Sequence, residues 1–323
     1  MLVDERFTIR AFRAGDEPQI LDLFARCFPH APRSLEHFRW KYQSNPFGNE
    51  RISLAFDPDG RLVGHYAGYP VRLCGTGSPT RRADGLESPS HIAHHIGDTM
   101  TDPAVRHVGR GPSSILGRVA QHFYDTFCEG RVAFNFGFNV ANIQKFSTRF
   151  LRAVRVEPVS YRVWAHPARM ARWQRWARGY QIEIVREVTD ELGNLSHGFM
   201  VRRDAQYLRW RYLQHPEVSY LFLALRRWRK LAGWSVFRIR EDHLIWVDGL
   251  FDSPGSAGIL LRQAADGRPI ECWNGGDELR ALGFESRPEP QDLGVMCVPF
   301  AMTDAVERIR QSFFYTMGDS DLF

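Results

Sequence analysis

The feature that most constrains this chain of 323 residues is an internal echo. "LEHFRWKYQSNP" (35–46) returns as "RRDAQYLRWRYLQHP" (202–216), each with an aromatic or leucine, then Arg-Trp, a basic residue and Tyr, ending at proline. The segments downstream of the two copies repeat too. After the first copy, "ISLAFDPDGRLVGHYAGYPVRL" (52–73) reads as a hairpin closed by Asp57-Pro58-Asp59-Gly60, a strong turn signal. After the second, "YLFLALRRWRKLAGWSVFRIREDHLIWVDGLFD" (220–252) reads as three strand-like runs. Each block then continues helix, strand, helix. Repetition of one supersecondary order predicts two copies of one α/β unit rather than a single large fold, and the chain length suits two domains.

Within the first 160 residues the pattern predicts βα α ββ β α β α. "FTIRAFRAGDEPQILDLFARCF" (7–28) opens as strand, turn and helix, with Asp16 as cap and Ile20, Leu21, Leu23 and Phe24 on the apolar face. A second short helix stops at Asn45-Pro46 and Gly48. "RRADGLESPSHIAHH" (81–95) reads as an extended loop, "HIGDTM" (95–100) and "RVAFNFGFNV" (131–140) as strands, and "NIQKFSTRFLRAV" (142–154) as a helix. In the second half, "SAGILLRQAA" (256–265) and "DELRALGF" (277–284) read as helices around the strand "PIECWN" (269–274). The expected architecture is α/β with mixed (α+β) sheets: a first domain over 1–160, an Arg/Trp-rich linker over 161–195 and a degenerate second domain over 196–323.

Composition closes several alternatives. The net charge is +5, yet no basic stripe with interleaved stacking aromatics stands out, which argues against nucleic acid. Five cysteines at wide spacing, without a CxxC, read as reduced thiols in a cytoplasmic chain. The charged, strand-like N-terminus does not read as a signal peptide. No apolar run approaches the roughly 18 residues needed to span a bilayer, so no stable membrane insertion is expected. His91, His94 and His95 cluster, but H-x-x-H-H on a loop and strand is poor metal-site spacing, and no metal is expected.

The sharpest chemical signal lies in "DPAVRHVGRGPSSILGRVAQHF" (102–123), where Arg106-His107-Val108-Gly109-Arg110-Gly111 spells R-x-x-G-x-G between a strand and an amphipathic helix. Glycines let the backbone turn sharply and approach a ligand. Free N–H groups at the helix start, together with the helix dipole, favour phosphate oxygens. The pattern is neither the G-x-G-x-x-G dinucleotide fingerprint nor a P-loop, since no Gly-Lys-Ser/Thr comes after it. The second half has only "DSPGSAG" at the matching place.

In this setting "GDTMTDPAVRHVGRG" resembles the strand-four and motif-A region of the GNAT superfamily of acyl-CoA N-acyltransferases, in which the Q/R-x-x-G-x-G/A turn binds the coenzyme A pyrophosphate. "FTIRAFRAGDEPQILDLF" resembles that family's first strand and helix. "WKYQSNPFG", "GHYAGYPVRL" and "FFYTMGDSDLF" are similar to bacterial tandem-GNAT proteins, some linked to surface-polysaccharide gene clusters. The resemblance implies acetyl-CoA or another acyl-CoA as cofactor. It implies a pyrophosphate cradle of Arg106, His107, Val108, Gly109, Arg110 and Gly111, with Pro112 and Ser113 starting the helix. Met100 and Thr101 would offer backbone to pantetheine, and Asn139 and Asn142 would contact pantetheine or acyl group.

Direct acyl transfer needs a base for the acceptor amine, polarisation of the thioester carbonyl and a proton for the departing thiolate. Asp98 lies where the family often has an acidic residue acting through water, and His95 is of the residue type whose unperturbed pKa suits proton transfer at neutral pH. The family's proton-donating Tyr falls near Phe146 or Ser147; phenylalanine cannot donate, which leaves Ser147, Tyr124 or water. The tail "GDSDLF" puts Asp319, Asp321 and the Phe323 carboxylate together, and the distantly similar protein myristoyltransferases use a C-terminal carboxylate as base. The leading expectation is an N-acyltransferase acting on the primary amine of a small molecule or amino sugar, as monomer or homodimer. Its alternatives are a long-chain or carrier-protein-dependent acyltransferase, and a catalytically silent CoA-binding scaffold or sensor.

Overall fold

The computed structural model describes residues 7–76, 88–167, 179–273, 276 and 278–323. The expected loop 81–95 and linker 161–195 therefore fall partly outside the described residues. The chain forms two compact units: Met1–Pro158 with Leu293–Gln311, and Val159–Asp292 with Ser312–Phe323.

The first unit begins with β1 (Thr8–Ala11), α1 (Glu17–Cys27), α2 (Leu35–Phe38), β2 (Arg51–Phe56), β3 (Leu62–Cys74) and β4 (Ile92–Thr101). It continues through α3 (Ile115–Phe123), β5 (Phe134–Asn139), α4 (Ala141–Phe150) and β6 (Val154–Pro158), the order the pattern predicts. The second unit comes next: β7 (Tyr161–Trp164), β8 (Tyr180–Ile184), β9 (Phe199–Val201), α5 (Ala205–Leu208), β10 (Leu221–Arg227), β11 (Lys230–Ile239) and β12 (Leu244–Phe251). After these come α6 (Pro254–Ala265), β13 (Ile270–Trp273), α7 (Glu278–Leu282) and β14 (Glu285–Arg287). The chain then returns to the first unit with β15 (Gly294–Pro299) and α8 (Ala305–Ser312), and ends in the second with β16 (Phe313–Phe314).

Both sheets are mixed. In the first unit the strands run β1-β2-β3-β4-β5-β15-β6, antiparallel except for the parallel pair β4–β5. In the second they run β14-β7-β13-β12-β11-β10-β8, with β12–β13 parallel. β9 and β16 add a short parallel pair in the second unit. Three expected boundaries give way. Residues 161–164 and 180–184 are strands, not linker; residues 293–311 belong to the first unit; and the second unit starts at Val159. The cause is long-range: "GVMCVP" pairs with β5 and β6, some 150 residues earlier, as its two-sided burial requires.

Local chemistry explains most elements. Asp57 Oδ1 accepts the N–H of Asp59 and Arg61 at 3.1 and 2.9 Å, closing the β2–β3 hairpin with Gly60 at φ +78°. Asp16 does not cap α1 through its side chain; its carboxylate instead takes Arg10 at 2.6 and 2.7 Å and the Arg13 N–H at 2.7 Å, the stronger charge-assisted option. α3 buries Ile115, Val119, Ala120 and Phe123 against Tyr66, Met296 and Val298. α1 and α2 bury Ile20, Leu23, Phe24 and Phe38 against Leu54, Leu62 and Met100. Each buried Val, Leu, Ile, Met or Phe among them contributes about 1.5–3 kcal/mol. Among the described residues no helix is long and apolar enough to cross a membrane, and all five cysteines are free thiols.

The repeat is visible in detail. In both units a four-residue helix runs into a widened π turn, Arg39–Gln43 and Arg209–Leu213, and its tyrosine reaches an aspartate on the fourth-strand equivalent. Tyr42 donates to Asp98 Oδ2 at 2.8 Å and Tyr212 to Asp248 Oδ2 at 2.5 Å.

Candidate functional site: a cleft where β4 and β5 part

β4 and β5 pair only through Ala93–His95 and Phe134–Phe136, although β4 runs on to Thr101 and β5 to Asn139. Two features force them apart. A bulge lies in the β3–β4 ladder between the His65–Met100 and Ala67–Gly97 pairs. Within it Asp98 adopts φ +49°, a left-handed conformation uncommon for a non-glycine residue. The bulge is pinned from inside the protein. Buried Lys41 meets Asp98 Oδ2 at 2.7 Å, Tyr42 donates to the same oxygen, and His65 Nδ1 lies 2.7 Å from the Asp98 carbonyl oxygen, to which it donates. Burial, only partly opposed by Asp98, pulls His65 down to about 4, so the ring is neutral in the fold.

The parting strands open a cleft of about 440 Å³ lined by Thr99, Met100 and Thr101 of β4, Arg106, Ser114–Leu116 at the start of α3, and Asn142, Ile143 and Phe146 of α4. A smaller cavity of about 30 Å³ is lined by Tyr66, Ile96, Tyr124, Asn139 and Ser147. The turn that leads into α3 is built as the glycines require. Gly109 and Gly111 have φ +70° and +56°. A Cβ on Gly109 would sit 2.2 Å from the Ser113 carbonyl oxygen, and one on Gly111 would sit 2.8 Å from the Phe150 ring. Arg106 Nε donates to Thr101 O at 3.1 Å, tying the turn back to β4. Among the described residues the N–H groups of Gly109, Arg110 and Gly111 have no protein acceptor. The helix starts later than expected: Gly111–Ser113 form a single 3₁₀ turn, and α3 begins at Ile115, because Gly111 is left-handed and Ser114 Oγ caps the Gly117 N–H at 3.1 Å.

The expected residues divide. Met100, Thr101, Arg106 and Asn142 line the larger cleft, and Asn139, Ser147 and Tyr124 the smaller cavity. His107, Gly109, Arg110 and Pro112 are exposed on the turn, Ser113 is half-buried, and Val108 packs on the core. Tyr124 Oη donates to Leu151 O and lies 3.2 Å from Tyr66 Oη; burial pushes it up to about 12, so it keeps its proton at neutral pH. His95 is buried among Tyr69, Phe136 and Phe138 and borders neither opening. Asp98 Oδ2 is engaged by both Lys41 and Tyr42. Phe323 also departs from expectation: its backbone oxygen accepts from Arg211 at 3.0 Å and Tyr220 at 2.8 Å, and its ring packs on Trp273, all within the second unit. Asp319 is buried on Arg203 at 2.5 Å, so the tail is a docked structural element rather than a free base.

Pattern reading missed Lys41, Tyr42, His65 and Tyr66. Lys41 and Tyr42 sit in the repeated motif, so the signal was present, but their shared target on β4 needs the fold. The buried histidines also predict acid sensitivity. The unfolded chain protonates histidine near 6.5, whereas folded His65 resists protonation until about 4 and His94 until about 3. Their stabilisation is therefore complete above pH 6.5 and is lost as pH falls through that window, by up to about 3 kcal/mol for His65. Urea midpoints of the first unit should fall steadily from pH 7 to 4.5, with a shallower slope in His65→Gln; a flat profile in the wild type would contradict this.

Residues 8–88 match the family model described as an acetyltransferase (GNAT) domain. No curated protein matches the sequence. Among solved structures, a conserved protein of unknown function from Enterococcus faecalis V583, described as a probable N-acyltransferase, is similar at a TM-score of 0.64 and 12% identity, over 92% of this chain and 73% of that one. A GCN5-related N-acetyltransferase from Kribbella flavida is similar at a TM-score of 0.55 and 12% identity, over 90% of this chain and 70% of that one. At such identities the likeness shows the fold.

Proposed function

We propose, for a chain whose residues 8–88 match a GNAT acetyltransferase domain, that its first unit is an acyl-CoA-dependent N-acyltransferase, acting with acetyl-CoA on the primary amine of a small molecule such as an amino sugar. One observation carries this reading: the parted β4–β5 edge opens beside a glycine turn whose N–H groups lack protein acceptors. Bound acyl-CoA would supply an activated thioester. The N–H groups of Gly109, Arg110 and Gly111 and the start of α3 would take the pyrophosphate, with Arg106 adding charge. The unpaired edge of β4 at Met100 and Thr101 would accept a strand-like amide partner, and Asn139 and Asn142 would orient it. Tyr124 holds a proton at Oη beside Ser147, and we assign it the role of acid. Asp98 acts as a positioning residue that keeps the bulge open, rather than as the base. The second unit has no counterpart of the turn, since β12 passes through Asp252 to Ser253, which caps α6 directly.

The test is calorimetry of acetyl-CoA and longer acyl-CoAs on wild type and Arg106→Glu. Binding in the wild type and its weakening in the variant support the cradle, and the preferred chain length names the donor. No binding to the wild type overturns it. Tyr124→Phe should lower kcat about 100-fold with KM for acyl-CoA unchanged, as loss of a general acid does; equal turnover would remove Tyr124 from the mechanism. The engagement of Asp98 by Lys41 favours one second reading, a CoA-binding protein without turnover. Steady-state assays across amines and amino sugars separate the two.

A further inference from the structure

At the opposite end of β4 from the acyl-CoA cleft, the first unit carries a second and larger cleft of about 780 Å³, bordered by Arg51, Arg72, His94, Thr126 and Arg131. Its chemistry is cationic. Arg51, half-buried at the start of β2, has no carboxylate ion pair among the described residues. Arg131 donates to a backbone carbonyl, that of Glu129, while the Glu129 carboxylate is taken by Arg152 at 3.0 Å. Two guanidinium groups are stacked on aromatic rings, Arg51 over Phe127 at 5.8 Å and Arg72 over Phe47 at 4.8 Å, which fixes their planes. Burial first, and then Arg131, pull Arg51 down, opposed in part by Cys128 and Glu50. The remaining wall, Pro70, Pro89 and Ile92, is apolar.

Like charges gathered around an open cleft raise the energy of the empty protein, and a dianion relieves it. Guanidinium forks with a hydroxyl donor match phosphate geometry. We propose that this cleft binds a phosphorylated small molecule, its phosphate between Arg51 and Arg131 with Thr126 donating, and its body against Pro70 and Ile92. The volume is in the range of small-ligand pockets. The site is independent of the acyl-CoA reading, since it shares no residue with that cleft.

The test is calorimetry with inorganic phosphate, and with succinate as a carboxylate dianion, on wild type, Arg51→Gln/Arg131→Gln and Gly109→Ala. Saturable phosphate binding should persist in Gly109→Ala and weaken at least about 30-fold in the double variant, which should still bind acetyl-CoA as the wild type does. The double variant should melt no lower than wild type without ligand, because repulsion has been removed; if it fails to fold, Arg131→Gln alone, at an exposed turn, should weaken phosphate binding in part. Phosphate binding that survives the arginine changes but is lost in Gly109→Ala would place the anion in the turn and overturn the proposal. So would tighter binding of succinate than phosphate, or no saturation below about 10 mM in the wild type.

Discussion

Gly109→Ala is expected to lower acetyl-CoA affinity by more than about 100-fold, or about 2.7 kcal/mol, while the unit stays folded. The argument is steric. At φ +70° a side chain is disfavoured by roughly 1–2 kcal/mol, and the new Cβ would lie 2.2 Å from the Ser113 carbonyl oxygen and 2.8 Å from its carbon. Both atoms are backbone, so the turn itself must move, carrying with it the N–H groups of Gly109, Arg110 and Gly111. Gly117 offers a check from behind. It is buried in α3, and a Cβ there would meet the carbonyl oxygens of Gly111 and Pro112 at 2.6 and 2.7 Å. Gly117→Ala should therefore also weaken binding without touching any ligand. Calorimetry at matched folded fraction reads both variants. Affinity within about threefold of wild type for Gly109→Ala would show that the turn does not hold the cofactor.

Arg203→Met is the second large effect, and it falls on stability. Arg203 is fully buried between Asp248, at 3.1 Å, and Asp319, at 2.5 Å, with Val201 O accepting at 2.7 Å. Burial works against its charge, but the two carboxylates outweigh burial and hold it ionised. Removing the cation leaves two carboxylates facing each other in a low-dielectric interior, a loss of about 3–5 kcal/mol. That corresponds to a fall of about 10 °C in the melting midpoint of the second unit. Truncation after Gly318 should act in the same direction, since it removes Asp319 together with the Ser320 and Phe323 oxygens that Arg211 binds. Tryptophan fluorescence is the natural probe, because Trp40 alone of the nine tryptophans falls in the first unit's sequence range. A midpoint within about 1 °C of wild type would mean that the network adds nothing net, as some buried ion networks do.

The two variants probe what became of the two halves of one repeat. In the first, Lys41 meets the β4 aspartate directly. In the second, the matching Arg211 turns to the chain's own terminus, donating to the oxygens of Gly318, Ser320 and Phe323, and Arg203 takes the aspartate instead. A tail read from its acidity as a base is thus a clamp that belongs to the fold of its own unit.

The sequence by itself determined the repeat, the order of elements in the first unit, the β2–β3 hairpin and the R-x-x-G-x-G turn. All of these rest on local chemistry: helical and strand periodicity, Asp and Gly in turns, and φ values that only glycine adopts cheaply. Tertiary structure decided what depends on distant partners. It placed "GVMCVP" between β5 and β6 in the first unit, and it brought Asp98 onto buried Lys41 and Tyr124 onto Tyr66 and the Leu151 carbonyl. Pairing register, desolvation and charge neutralisation are properties of residues brought together over tens to hundreds of positions, and no window of sequence contains them.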